Sequence, residues 1–417
     1  MISILILSFS FLTYPVIVIL HLLLWLVGRI DRTGFLEKCG WIRSVPFKTA
    51  DQCLWVHLSS MGEYNTARHF IKNLHDRYRK PIFLSYYRQD VAVKADHDDF
   101  IHCHQCLPLE NYLAFQRLIR KVQPAGVLIF ETEIWPVFLY ALKRNNVPVY
   151  LLSAYVYDQH FRFYLRFRVL FRETMRTYRK ILAASRRDSD KFLALGADPA
   201  VLQVTGNLKY DIQRPEHKDD LALKQKFGFD EDAFVFTAGS VHSREDIMLA
   251  LLFPELCPHL ERFIFVLAPR YLNRVDELCR YLKHQNLPHR CRTETGPSAC
   301  KLPYIFILDT FGELDEIYAV SDLVFVGGSL VPHGGHNILE PIFYNKKTFS
   351  GPHTRNFAEM VERFSDYVDV VEYSQITRYI LNQTKFDAAR DNGRSLLMSM
   401  AGVGDKILSV LDSTIDK

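Results

Sequence analysis

Two glutamates stand where a sequence of this kind would move a proton. Leu54–Leu58 is a largely apolar run that reads as a buried strand, and residues 59–62 read as a turn. Tyr64, Ala67, Phe70, Ile71 and Leu74 then mark one face of a helix. Glu63 therefore falls in the first helical turn, at the C-terminal edge of a sheet, where open α/β folds place ligands. The helix dipole there favours an ionised carboxylate, the form a general base needs. The plain alternative is a Glu that merely favours a helix start. Glu131 and Glu133 follow a second apolar run, Gly126–Phe130, at the same kind of edge. Glu131 is expected to orient an acceptor or to support Glu63, with capping of a helix near Trp135-Pro136 as its alternative.

A second constellation suits a phosphate. The apolar run Leu323–Val326 ends in residues 327–341, where two Gly-Gly pairs are followed by His336, Asn337 and Glu340. Unhindered backbone N–H groups and a helix start favour an anion, and Asn337 and Glu340 can reach ribose hydroxyls. Gly239 and Ser240, after the run Phe234–Thr237, offer further N–H groups, and Arg270, after Phe263–Leu267, brings a fixed planar cation. Such groups stabilise a departing nucleotide without a metal.

A third stretch is basic and aromatic. Arg162, Arg166, Arg168, Arg172 and Arg176 alternate with Phe161, Phe163, Tyr164, Phe167 and Phe171. Arg168, Arg172, Arg176 and Lys180 fall at i, i+4 spacing, one stripe on a helix, and like charges so placed call for an anionic neighbour. Lipid headgroups or glycolipid phosphates are the expected partners; no RNA-binding motif supports nucleic acid.

These residues need a scaffold. At 417 residues, with 48% hydrophobic and 24% charged residues, the chain suits two globular domains. A net charge of +4 is too mild to argue for nucleic acid, and the eight scattered cysteines read as reduced thiols. Cys103-His104-Gln105-Cys106 lacks a second ligand pair for zinc, and Asp96-His97-Asp98 reads as a solvated loop, so neither metal nor cofactor is expected. Strands are expected at Leu54–Leu58, Ile82–Tyr86, Gly126–Phe130, Val147–Leu152 and Ile181–Ala184. After a polar linker near Gln213–Asp220 they resume at Phe234–Thr237, Phe263–Leu267, Tyr304–Leu308, Leu323–Val326 and Lys347–Phe349. Two such series imply α/β architecture, with two Rossmann-like parallel-sheet domains facing a cleft. The apolar N-terminal run, followed by Arg29, Arg32, Lys38, Arg43 and Lys48, is expected to form a membrane anchor over residues 1–30 with the rest cytoplasmic. The expected domains are then 31–212 and 213–417. A helix-like segment, about Asp387–Leu411, closes the chain.

The motifs also carry a resemblance. Gly327 to Pro341 resembles the signature of 3-deoxy-D-manno-octulosonic acid (Kdo) transferases. Ser60-Met61-Gly62-Glu63, Glu131 to Pro136, Gly206 to Asp211, Pro269-Arg270, Asp309 to Leu314 and Gly351 to Thr354 match in the same order. The resemblance implies a GT-B fold and inverting, metal-independent transfer of Kdo from CMP-Kdo to the lipid A precursor lipid IVA, at the bacterial inner membrane. It implies Glu63 as base. Pro269, Arg270, Asp309, Gly312, Glu313, Ser329, Gly334, Gly335, His336, Asn337 and Glu340 would hold the nucleotide. Departures fall at Ser153–His160, where an Asn-Ala-Arg-x-Ser type run is usual, at 184–188, at Tyr271 and at Val241–Arg244; the first two put acceptor contacts in question. The alternative enzyme reading is a GT-B transferase or epimerase with another sugar nucleotide, such as a uridine donor. A non-catalytic polyanion-binding protein on a degenerate transferase fold is the third reading, opposed by the intact Glu63 and the 327–341 signature.

Overall fold

The computed structural model describes residues 2–28, 30–46, 52–212, 219–294, 301–383 and 393–415. Arg29, Lys48, most of the expected linker and the first part of the expected final helix lie outside them. The chain divides into two units, residues 1–211 with 400–417 and residues 212–399.

The first unit is built on a seven-stranded parallel sheet: β1 (Leu54–Leu58), β2 (Ile82–Tyr86), β3 (Cys103–Cys106), β4 (Gly126–Phe130), β5 (Val149–Ala154), β6 (Tyr178–Ala183) and β7 (Leu202–Val204). Their order is β3-β2-β1-β4-β5-β6-β7, the doubly wound arrangement in which crossover helices cover both faces. β1, β2, β4 and β5 are buried along their whole length, which explains their largely apolar sequences. One face packs Trp55, Phe83, Phe115 and Phe138. The other packs Val56, Tyr64, Phe70 and Phe130 with Val403, Ile407, Leu408 and Leu411 from the last helix, Val403–Ile415. That helix is fixed by Asp211, whose carboxylate accepts the N–H groups of Val403 (3.0 Å) and Gly404 (2.6 Å).

The second unit repeats the plan with β8 (Phe234–Val241), β9 (Phe263–Pro269), β10 (His289–Cys291), β11 (Tyr304–Ile307), β12 (Leu323–Val326), β13 (Lys347–Ser350) and β14 (Val368–Val370). All pairs are parallel, in the order β10-β11-β9-β8-β12-β13-β14. β3, β7, β10 and β14 escape sequence reading because they are short and carry polar or mixed residues, such as Cys-His-Gln-Cys.

The expected membrane anchor is corrected. Among the described residues no helix is long and apolar enough to cross a membrane, which overturns both the anchor and the inner-membrane placement built on it. Residues Ile2–Leu26 do form a helix, but it is tied to the first unit. The Ser10 hydroxyl donates to the Glu110 carbonyl (2.9 Å) and accepts from the Tyr112 N–H (3.1 Å). Tyr14 donates to the Cys39 carbonyl (2.8 Å), and Trp25 stacks on Phe35. Ser10 and Tyr14 within the apolar run are thus satisfied by the protein itself.

Candidate active site

Glu63 lies in the first turn of the helix Met61–Tyr78, just beyond β1. Ser60 caps that helix, and the Glu63 carboxylate reaches back to the Ser59 N–H (2.7 Å) and the Ser60 hydroxyl (3.1 Å), a variant of the capping box. The helix-start alternative and the chemical one therefore coexist in one side chain. Glu63 keeps part of its surface open, yet dense surroundings and then the nearby Glu131 charge push its carboxyl up to about 8, against the pull of the Ser59 N–H. Burial and like charge thus outweigh the helix dipole, contrary to the expectation of a readily ionised group.

Glu131 is almost fully buried and has φ 59°, a left-handed backbone that a non-glycine residue adopts at a cost. Its carboxylate pairs with the Lys209 ammonium at 2.9 Å and accepts from the Tyr155 hydroxyl at 2.5 Å. Lys209 is held above its ordinary value, the Glu131 charge outweighing burial, which acts downward. Tyr155 also meets the Tyr157 hydroxyl at 3.2 Å. Glu131 does not cap the helix Pro136–Arg144; Glu110 does, accepting the Val137 N–H at 2.8 Å. Glu133 takes the Trp135 indole N–H (2.6 Å) and lies 3.9 Å from buried His57. Burial pushes the Glu133 carboxyl up, but His57, Trp135 and Ser59 hold it below its usual range. Lys209, Tyr155 and Glu133 thus join Glu63 and Glu131. Lys209 lay in the Gly206–Asp211 match, where nothing in the sequence tied its charge to Glu131.

In the second unit, β8 runs on past Thr237 to Val241, with an irregularity at Ser240, which has φ 56°. Gly239 sits within the sheet under Tyr318, where a Cβ would come 2.0 Å from the hydroxyl. Gly327 lies so close to Ser240 that a Cβ would meet its carbonyl at 2.6 Å. The N–H groups of the glycine turn are already engaged. The fully buried Glu245 carboxylate accepts from His242 (3.0 Å), Gly328 (2.6 Å), Ser329 (3.0 Å) and Leu330 (2.9 Å). Ser329 is fully buried, donating to the Val326 carbonyl and accepting from Gly351. It shapes the turn rather than opening toward a ligand.

Beyond that turn, Gly334 and Gly335 take left-handed conformations, and the Gly335 N–H returns to the Gly328 carbonyl (2.8 Å). This fold-back brings His336 Nε2 to 2.8 Å from His242 Nε2, with His333 stacked on His242 at 4.0 Å. Arg270, exposed just after Pro269 at the end of β9, donates its N–H to the Val241 carbonyl. Burial first, then His333 and Arg270, lowers His242 to about 4; burial, then Arg270 and His242, lowers His336 to about 3. Asn337 caps Leu339 and lies 3.5 Å from Glu340. The helix it opens, Leu339–Phe343, is a single short turn, so the expected helix-dipole contribution is small.

Asp309 accepts from the Thr293 N–H and hydroxyl, and Glu313 forms a bidentate pair with Arg292 while accepting from Thr310 (2.5 Å). Gly312, with φ 89°, makes the turn between them. Against burial, which pushes upward, Arg292 and Thr310 hold the Glu313 carboxyl below its usual range.

The expected arginine stripe is broken. Arg162 and Arg166 lie on the helix Asp158–Arg166, and Arg168 and Arg172 on the helix Arg168–Met175. Arg176 caps the latter's end and pairs with Glu173 (2.6 Å), while Lys180 belongs to β6. The exposed apolar companions of the first four arginines are Phe163, Leu165, Phe167 and Val169. Asp98, expected in a solvated loop, is buried and pairs with Arg68 and Tyr64. Among the described residues no three His, Cys, Asp or Glu side chains converge as a metal site would require.

Residues 32–212 match the family model described as 3-deoxy-D-manno-octulosonic-acid transferase (kdotransferase). The chain is 27% identical over 381 residues to 3-deoxy-D-manno-octulosonic acid transferase of Haemophilus influenzae, covering 88% of each. It is equally identical over 322 residues to a bifunctional glycosyltransferase/methyltransferase of Fusobacterium nucleatum, covering 75% of this chain but spanning only 49% of that relative. Among solved structures, a putative UDP-N-acetylglucosamine 2-epimerase from Listeria monocytogenes (TM-score 0.59, 14% identity, 87% of this chain and 96% of that one) shares the fold. So does a glycosyltransferase from Rickettsia africae (TM-score 0.58, 14% identity, 88% and 99%). By these relatives the chain is similar to Kdo transferases, and its two parallel-sheet domains give it the GT-B fold of sugar-nucleotide enzymes.

Proposed function

We propose that this protein transfers Kdo from CMP-Kdo to a lipid A precursor, with inversion and without a metal. The first unit takes the acceptor and the second takes the donor. The observation that carries the reading is Glu63: an accessible carboxyl at a sheet edge, pushed up to about 8, is a strong enough base to take the proton of an acceptor hydroxyl. As that oxygen bonds to the anomeric carbon, the carbon–oxygen bond to phosphate breaks and CMP leaves with the electron pair. Glu131, fixed by Lys209 and Tyr155, keeps Glu63 basic by its charge. Arg270 faces the leaving phosphate or the Kdo carboxylate, and Asn337 and Glu340 take the ribose. The exposed Phe163 and Phe167 beside Arg162, Arg166, Arg168 and Arg172 suit an acceptor that is both acylated and phosphorylated.

The second reading is a GT-B transferase or epimerase using another sugar nucleotide. The solved structures favour it, since they include epimerases and UDP-binding enzymes; at 14% identity they speak for the fold and for no one nucleotide. The deciding experiment gives CMP-Kdo and a tetraacylated lipid A precursor to wild type and Glu63→Gln, without added metal and with CMP and UMP as competitors. Transfer by wild type, protection by CMP alone and near-complete loss in the variant support the proposal. Competition by UMP but not CMP, or no transfer by folded protein, hands the assignment to the second reading.

A further inference from the structure

The His242–His336 contact carries an inference about how the departing nucleotide is held. Two imidazole Nε2 atoms 2.8 Å apart share a single proton: one ring donates and the other accepts. The two rings lie nearly parallel, at 8°, so the contact is embedded in a stack and not made by two free side chains. Every described neighbour that faces the pair discourages an additional proton or is engaged elsewhere. His333 stacks on His242, Tyr271 presents its ring at 5.7 Å, and the Arg270 guanidinium acts on both rings. Glu245 is occupied by four backbone N–H groups, and Asp246 on the same helix is paired with Arg274 at 3.2 Å. The loop thus holds a neutral pair next to an exposed cation, an arrangement that favours a negative charge.

We propose that His242 and His336 form a single anion-binding unit that takes up one proton when the nucleotide's phosphate binds beside Arg270. The second proton occupies the ring nitrogen freed when the shared hydrogen bond is released, and both rings then donate toward phosphate oxygens. No covalent bond changes; the balance is one neutral pair, one proton and one phosphate dianion giving a bound monocation–dianion complex. His242 thereby becomes a binding residue for the released nucleotide, and phosphate charge is what the site requires of its ligand. The inference rests on the reading that the 327–341 loop holds the nucleotide phosphate.

Calorimetry of CMP binding to the full chain tests it at pH 7.5, where a phosphate monoester with a second pKa of about 6 is already a dianion. Titrations run in buffers of different ionisation enthalpy, and the slope of heat against that enthalpy counts protons. The expected slope shows net proton uptake, and CMP affinity rises as pH falls from 8.5 to 7, by up to about tenfold per unit. In His242→Asn and His336→Asn the uptake disappears while weaker binding persists. Imidazole nitrogen shifts in the wild type read the same proton if a variant fails to fold. CMP binding with zero slope, or uptake unchanged in both folded variants, overturns the inference alone. Absence of CMP binding to folded wild type removes the donor reading along with it.

Discussion

Replacing Lys209 by Met isolates the charge that holds Glu131 in place. At 2.9 Å, Coulomb's law with an effective dielectric of about 20 gives a gross attraction of about 6 kcal/mol. Both side chains are largely buried, so desolvation offsets much of this, and loss of one partner leaves a carboxylate enclosed without its cation. The expected cost is about 3–5 kcal/mol. The four tryptophans, Trp25, Trp41, Trp55 and Trp135, all lie in the first unit, so their fluorescence in urea follows that unit alone. Adding Glu131→Gln to Lys209→Met should recover at least about 2 kcal/mol, because the uncompensated charge is then gone. A single-variant cost below about 1 kcal/mol, or additive costs within about 0.5 kcal/mol, would refute the claim that this pair is a tightly coupled unit.

Further outcomes follow from the same geometry. Because the Glu63 carboxyl is raised to about 8, transfer should accelerate as pH rises through that value, and a pH–rate profile in non-inhibitory buffers checks it. The sign for stability is opposite. A raised carboxyl is most favourable below its unfolded value near 4.5 and loses that contribution as pH approaches 8, so Glu63→Gln should be inactive yet more urea-resistant than wild type at pH 8. Glu245→Gln offers one acceptor oxygen where two served four N–H groups; it should destabilise the second unit by about 2–4 kcal/mol and weaken CMP binding, measured by hydrogen exchange and calorimetry. Gly327→Ala places a Cβ 2.6 Å from a backbone carbonyl, which cannot swing away, and should cost about 1–3 kcal/mol in the same exchange experiment.

What the sequence could disclose depended on distance along the chain. β1, β2, β4 and β12 were legible to the residue because strands buried on both faces need largely apolar runs. Glu63 was placed correctly at its helix start because cap, turn and helix face are local. Its basicity was not legible, since that depends on Glu131, which follows a different strand. Lys209 meets Glu131, and His242 meets His336, only through tertiary folding; the latter are 94 positions apart. Glu245 carried no signal in the sequence, because the N–H groups of residues 328–330 reach its carboxylate only in the folded chain. The arginine stripe failed for the opposite reason: regular spacing was taken for one helix, whereas the helix carrying Arg168 and Arg172 ends at Met175 and Lys180 lies in a strand.

The return of the last helix to the first unit has a temporal consequence. Residues 212–399 form an unbroken insert between the two parts of the first unit, so they can complete their own core as soon as they leave the ribosome. The first unit, although made earlier, waits for Val403, Ile407, Leu408 and Leu411 to cover one face of its sheet. The order of synthesis and the order of completion are therefore reversed, and the face bearing Phe70 and Phe130 is covered only once the helix Val403–Ile415 has been made.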